Sequence, residues 1–152
     1  MNHIKRERKK LEMLSFHPFP RSGAGLSAED ATNGTFHVQM KVTSQKVYKL
    51  STFALQKLEA HATLHGEHPL FIVFFTQANA YIVLFPHRAN NENKNIKVVN
   101  KCIKLSPPTL YKAGGKMFLH FSGTNSNPWC AMLIDAGQIH NFLHYKLSSY
   151  IK

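Results

Sequence analysis

Residues 69 to 75, PLFIVFF, contain no polar side chain, and after the short link TQAN a second apolar run, AYIVLF, covers residues 80 to 85. Runs of this length without alternation fit strands covered on both faces, the second paired beside the first. A sheet with such strands at its centre needs a layer of structure on each side. The expected fold is therefore α/β, a mixed central β-sheet flanked by helices.

The flanking sequence supplies those layers. HIKRERKKLEML places Ile4, Leu11 and Leu14 on one helical stripe, with Glu7 among them, while Lys5, Arg6, Arg8, Lys9 and Lys10 cover the rest. Glu12 falls well round the helix and reads as solvated. RSGAGLSAEDATNG reads as a loop until its end. It leads into the strand TFHVQMKVT, whose Phe36, Val38, Met40 and Val42 share one face and whose Gln39 and Lys41 share the other. KVYKL is a third strand, and Ser51 is the expected N-cap of the helix TFALQKLEAHATLH, with Leu55, Leu58 and Ala62 inward and Gly66 closing it. HRANNENKN reads as a polar linker. Beyond it come a strand KCIKL, a Pro-opened turn or short helix, strands KMFLHF and WCAMLI, and a helix begun by Asp135 with Ile139, Phe142 and Leu143 inward. Residues 1–89 thus form the core unit, and 90–152 add strands and a helix to the same domain. KVYKLSTFALQKL and KCIKLSPPTLYKA align residue for residue in K, K, L, S, L and K, which reads either as coincidence or as the echo of a duplicated strand and helix.

Charge narrows the partner. Among 152 residues, 19 Lys plus Arg stand against 8 Asp plus Glu, a formal net charge of +11 that favours an anionic partner such as nucleic acid or an acidic membrane surface. No segment approaches the roughly 20 apolar residues of a membrane span, and NHIKRERKK leads into no signal-like apolar run. Two cysteines, Cys102 and Cys130, are too few for a disulfide framework or a thiolate metal site, so a reduced, cytoplasmic setting is expected.

The polar pair on the third segment is where chemistry gathers. Across a tight turn at TNG, an antiparallel neighbour would bring Asp30 beside Gln39 and Lys41. A hard divalent cation takes oxygen ligands, which the Asp30 carboxylate, the Gln39 amide and the Glu7 carboxylate can offer. Lys41 would stabilise charge building on an attacked phosphate. The plainer alternatives are a solvated strand face for Gln39 and Lys41, and a solvated basic helix. A buried carboxylate such as Glu7 is costly alone and calls for a partner or a metal. His61, His65 and His68 raise zinc binding, but they cluster at a helix C-terminus, where the dipole favours histidine in any case, and HExxH is absent.

Asp30 followed by Gln39-x-Lys41, an inward Glu on a basic first helix, the loop RSGAG before the acid, KVT after the catalytic strand, a serine-capped helix and GEHP before the apolar strand together resemble the PD-(D/E)xK nuclease superfamily, most closely phage and archaeal Holliday junction resolvases. The resemblance covers about residues 4 to 86. It implies a restriction-endonuclease-like core with Asp30, Gln39 and Glu7 as metal ligands, Lys41 as the catalytic lysine, and Mg2+ or Mn2+ as cofactor, with no small-molecule cofactor and no membrane. It implies DNA contacts from Lys5, Arg6, Lys9, Arg21, Ser22 and Lys46. It also implies a homodimer that resolves branched, four-way DNA in recombination and repair, in a bacterial or archaeal cell or encoded by its virus. Two departures stand out: Glu29 precedes Asp30 where Pro or Gly is usual, and Gln39 replaces the commoner Glu, removing one negative charge from the cation site. The alternative is a non-catalytic basic module that binds DNA or RNA on the same fold.

Overall fold

The computed structural model describes residues 3–18, 30–87, 95–125 and 128–151. In chain order the elements are α1 (His3–Met13), β1 (His17–Pro18), β2 (Asp30–Thr32), β3 (Phe36–Thr43), β4 (Tyr48–Ser51), α2 (Thr52–Leu64), β5 (His68–Phe75), β6 (Ala80–Pro86), β7 (Ile96–Val99), β8 (Cys102–Leu105), α3 (Pro107–Lys112), β9 (Lys116–Phe121) and β10 (Trp129–Asp135). They are followed by the short helices α4 (Ile139–Asn141) and α5 (Leu147–Ile151), joined by a π-turn over Phe142–Lys146.

Eight strands form one mixed sheet in the order β1-β2-β3-β5-β6-β10-β9-β7. The two apolar runs become β5 and β6, antiparallel neighbours in which every residue from Leu70 to Phe75 and from Ala80 to Phe85 is buried. Alternate side chains of β5 serve two cores, because successive residues of a strand point to opposite faces. Leu70, Ile72 and Phe74 join Leu11 of α1, Leu14 just beyond it, and Phe142, Leu143 and Leu147 of the C-terminal helical segment. Phe71, Val73 and Phe75 join Leu55 and Leu58 of α2, Leu110 of α3, and Leu50 and Ile103 of a separate ribbon, β4 paired antiparallel with β8. Helices therefore cover one face, and helices plus the ribbon the other.

Local signals at the expected positions hold these elements. The Ser51 hydroxyl accepts from Ala54 N at 3.1 Å, and Gly66 follows α2 with φ of +66°. The β2–β3 turn is fixed by Asn33, whose Oδ1 accepts from Thr35 N (3.0 Å) and Phe36 N (2.9 Å), a side-chain turn characteristic of asparagine. Two elements differ from expectation. KVYKL pairs with β8 outside the central sheet, and the residues just after the polar linker form β7, an unexpected edge strand whose Ile96, Lys97 and Val98 are exposed. Its parallel pairing with β9 spans a crossover, which no local pattern announces.

The self-similar segments occupy equivalent places. Strand, ribbon strand, serine-preceded helix, strand and strand recur as β3-β4-α2-β5-β6 and β7-β8-α3-β9-β10, each with a parallel first pair and an antiparallel second, and the two sets meet at β6 and β10 in mirrored order. The aligned residues share environments: Leu50 and Leu105 are each 1% exposed, and Leu55 and Leu110 are each fully buried. In the ribbon the aligned Lys49 and Lys104 stand directly opposite one another, as equivalent residues do beside a local two-fold axis.

The loop after β9 locks onto α2. Gln56 Nε2 donates to Ser122 O at 2.8 Å, and Glu59, buried on the same helix, accepts from Asn125 N through Oε1 at 2.6 Å. Gly123 between them has φ of +84°, and a Cβ there would lie 2.1 Å from Gln56 Nε2. Gly123→Ala therefore meets left-handed strain of about 1–2 kcal/mol and displaces that hydrogen bond; a drop of about 1–3 kcal/mol in chemical denaturation checks it. Among the described residues, no helix is long and apolar enough to cross a membrane.

Candidate functional site

The β2–β3 hairpin places Asp30 directly across from Gln39. Directly opposed residues share a sheet face, and the two-residue repeat of β3 adds His37 and Lys41 to it. The register with β5 sets Gln39 beside Phe71 and Lys41 beside Val73, so this is the face covered by α2. The apolar residues of β3 fill the opposite core, and Gln39 and Lys41 are half-buried. Asp30, Gln39 and Lys41 are thus brought onto one face, as the alternation requires.

The C-terminal end of α2 closes over the hairpin. His61 Nδ1 lies 3.4 Å from Asp30 Oδ2, and His37 Nε2 lies 3.3 Å from the same oxygen. His37 is wholly buried, with its other nitrogen, Nδ1, 3.3 Å from Glu67 Oε1. Thr32 Oγ1 donates to Glu67 Oε2. His65 stacks on His37 at 5.3 Å between ring centroids. Acid and base alternate along a buried line from Asp30 through His37 to Glu67, so each charged or polar group is desolvated against a complementary one. Among the described residues, Asp30, His37 and His61 offer ligand atoms within 4.8 Å of one another and could hold a metal ion.

Glu7 arrives from the other layer. It is 4% exposed on α1, and its Oε2 accepts from Val42 N at 3.0 Å, which satisfies part of a carboxylate that burial would otherwise penalise. It reaches the backbone of β3 one residue beyond Lys41, but it is not a member of the Asp30 group. Of the α1 cations, Lys9 is exposed, Arg6 is half-buried, and Lys10 folds over the Phe74 ring at 3.9 Å, where burial lowers its pKa. Lys46 is exposed in the β3–β4 loop. The Lys5 side chain, Arg21, Ser22 and Glu29 lie outside the described residues.

Three members of the site lie outside the expected set: His37 and Glu67 are not singled out by the sequence reading, and His61 is raised for zinc and set aside. His37 shares the parity of Gln39 and Lys41 and belongs to their face for the same reason. Glu67 sits inside GEHP, the step between helix and strand. His61 groups by spacing with His65 and His68, but the three diverge: His61 meets Asp30, His65 stacks on His37, and His68 packs beside Phe36. The chain matches no protein-family model and no curated protein sequence.

Proposed function

We propose that the protein is a metal-dependent endonuclease that hydrolyses phosphodiesters of branched DNA, working as a homodimer whose two sites cut strands related by a two-fold axis. The observation that carries this reading is the convergence of Asp30, Gln39 and Lys41 on one half-buried strand face, with the Glu7 carboxylate bonded to the next residue along. A divalent cation bound there would act as a Lewis acid on the phosphate and lower the pKa of a water. The chain's own contribution is to position and to neutralise. Asp30 and Gln39 would present oxygens to the cation, Lys41 would place an ammonium where charge gathers on the phosphoryl oxygens, and α2 partly shields the face from bulk water. The Mg2+ implied by the resemblance wants near-ideal octahedral oxygen ligation, whereas the atoms nearest Asp30 Oδ2 are imidazole nitrogens. Mg2+ does not fit that trio.

Two basic surfaces support a nucleic-acid partner. Arg6 and Lys9 line an open groove with Met13, Val42 and Phe74, beside the strand residue that holds Glu7. On the ribbon, Lys49 and Lys104 are exposed and directly opposed, an arrangement that costs stability unless an anion answers it. Lys49→Glu should therefore stabilise the fold by about 0.2–1 kcal/mol. It should also weaken duplex binding and flatten its logarithmic salt dependence by about 0.9 for each phosphate that is no longer neutralised. Unfolding and fluorescence-anisotropy titrations at several salt concentrations read the two effects separately.

The non-catalytic reading has one observation of its own: Gln39 brings no charge to the site. Cleavage of a synthetic four-way junction by the full chain, compared with linear duplex, with and without EDTA, decides between them. Divalent-dependent cutting of the junction supports the nuclease, and tight binding without cutting under any divalent ion supports the binding module.

A further inference from the structure

We propose that Asp30, His37 and His61 bind an imidazole-seeking divalent transition ion of the Zn2+ class. The inference deepens the nuclease reading by naming its ion, but binding itself can be measured without DNA. One carboxylate oxygen, Asp30 Oδ2, is approached by ring nitrogens from two different elements, β3 and α2, at 3.3 and 3.4 Å. Donor atoms around a tetrahedral ion with bonds of about 2.0–2.1 Å stand about 3.3–3.4 Å apart. Charge-assisted hydrogen bonds to carboxylates run shorter, at about 2.7–2.9 Å. Both edges that meet at Asp30 Oδ2 have the spacing of ligands around a shared ion, and all three donor atoms lie within 4.8 Å of one another.

The outer contacts fit the same role. Glu67 Oε1 stands at the same 3.3 Å from His37 Nδ1, so with the ring proton on Nδ1 the Nε2 lone pair would face Asp30. A cation placed between Nε2 and Asp30 Oδ2 would then join the two. Carboxylate behind histidine behind metal is the usual way a ligand ring is oriented, and Thr32 in turn holds Glu67. Thiolates are absent from the site, which argues against the softest ions, and two imidazoles with one carboxylate suit Zn2+. The His61 side chain is 18% exposed, so a coordination position can open towards solvent, as catalytic sites require.

The test uses untagged full-length protein stripped with EDTA and titrated with Co2+ as a spectroscopic probe. The expected result is one equivalent bound with visible ligand-field bands, displaced by Zn2+ and insensitive to excess Mg2+. His61→Ala, on the half-exposed ligand, should abolish the bands. Glu67→Gln should weaken the ion by about 10–100-fold while keeping the ligand set. Thermal melts of the metal-free variants establish that each is folded. His140 and His144, whose rings stack 4.9 Å apart on the C-terminal segment, are the competing pair, and His144→Ala should change nothing. Absence of Co2+ bands together with absence of Zn2+ heat in calorimetry would overturn the assignment, leaving His37 as a buried hydrogen-bonding link between Asp30 and Glu67. Bands that survive in folded His61→Ala would overturn it too. Junction cleavage in Mg2+ by a protein that binds no Zn2+ would sink the ion but keep the nuclease; Zn2+ binding without cleavage would do the reverse.

Discussion

On the proposed nuclease reading, replacing Lys41 with alanine should lower four-way-junction cleavage by about 10²–10³-fold, the cost of removing one preorganised electrostatic stabiliser from a partly shielded site. The magnitude follows from where the ammonium stands. Lys41 is half-buried beside Val73 on the α2 face, two residues from Gln39, so its charge acts through protein rather than through bulk water. Binding of the junction should change little, because on that reading affinity for branched DNA would draw on many exposed cations of a chain with a net charge of +11. Single-turnover cleavage measured beside anisotropy on the same substrate separates the two quantities. Cleavage at the wild-type rate by a folded Lys41→Ala protein would move the chemistry elsewhere, even if the chain remained a nuclease. A parallel loss of binding and cleavage would make Lys41 a phosphate anchor instead.

The parts of this arrangement that follow from strand parity are legible in the sequence alone. Gln39 and Lys41 share a face because they are two apart, and Asp30 joins them because Asn33 and Gly34 make a turn that sets Asp30 against Gln39. The burial of β5 and β6 follows from unbroken apolar runs. Contacts between distant segments carry no comparable signal. That His61 rather than His65 or His68 would meet Asp30 depends on how α2 is rotated over the sheet, and that rotation is fixed partly by Gln56 and Glu59 gripping the loop after β9, some 66 residues away. The parallel pairing of β7 with β9 depends likewise on a crossover. The self-similar segments fall between these cases: their likeness is visible in the sequence, but that they pair with each other, with Lys49 against Lys104, is a tertiary fact. Among the described residues, the second of the two self-similar sets does not repeat the proposed site. The strand that begins its unit, β7, reads IKVV where β3 carries the alternating polar face, so the two-fold cut of the proposed nuclease would call for a second copy.

A second large effect is expected far from the site, at Phe85. This ring is wholly buried on β6, 6.2 Å from the Phe142 ring and 5.7 Å from that of Tyr150, and so ties the C-terminal helical segment to the centre of the sheet. Phe85→Ala removes that packing and leaves a cavity that β6, hydrogen-bonded on both edges, cannot close by moving. The expected loss is about 3–5 kcal/mol, a large share of the roughly 5–15 kcal/mol that holds a domain together. For a chain of this size that corresponds to a fall in Tm of about 6–20 °C. Cys130 reports on the same spot, since it pairs across from Phe85 on β10. Burial pushes its thiol up to about 12, against a smaller opposing pull from Lys116, and only 1% of the residue is exposed, whereas Cys102 lies on the exposed side of the ribbon. Wild-type protein should accordingly react with a maleimide once quickly, at Cys102, and hardly at all at Cys130. In Phe85→Ala, opening of the C-terminal segment should expose the second thiol, so that Cys130 labels at a rate that rises with temperature well below the midpoint. A variant that melts early but still shields Cys130 would mean that the stability is lost in a global step, with the helical segment remaining docked until the sheet itself comes apart.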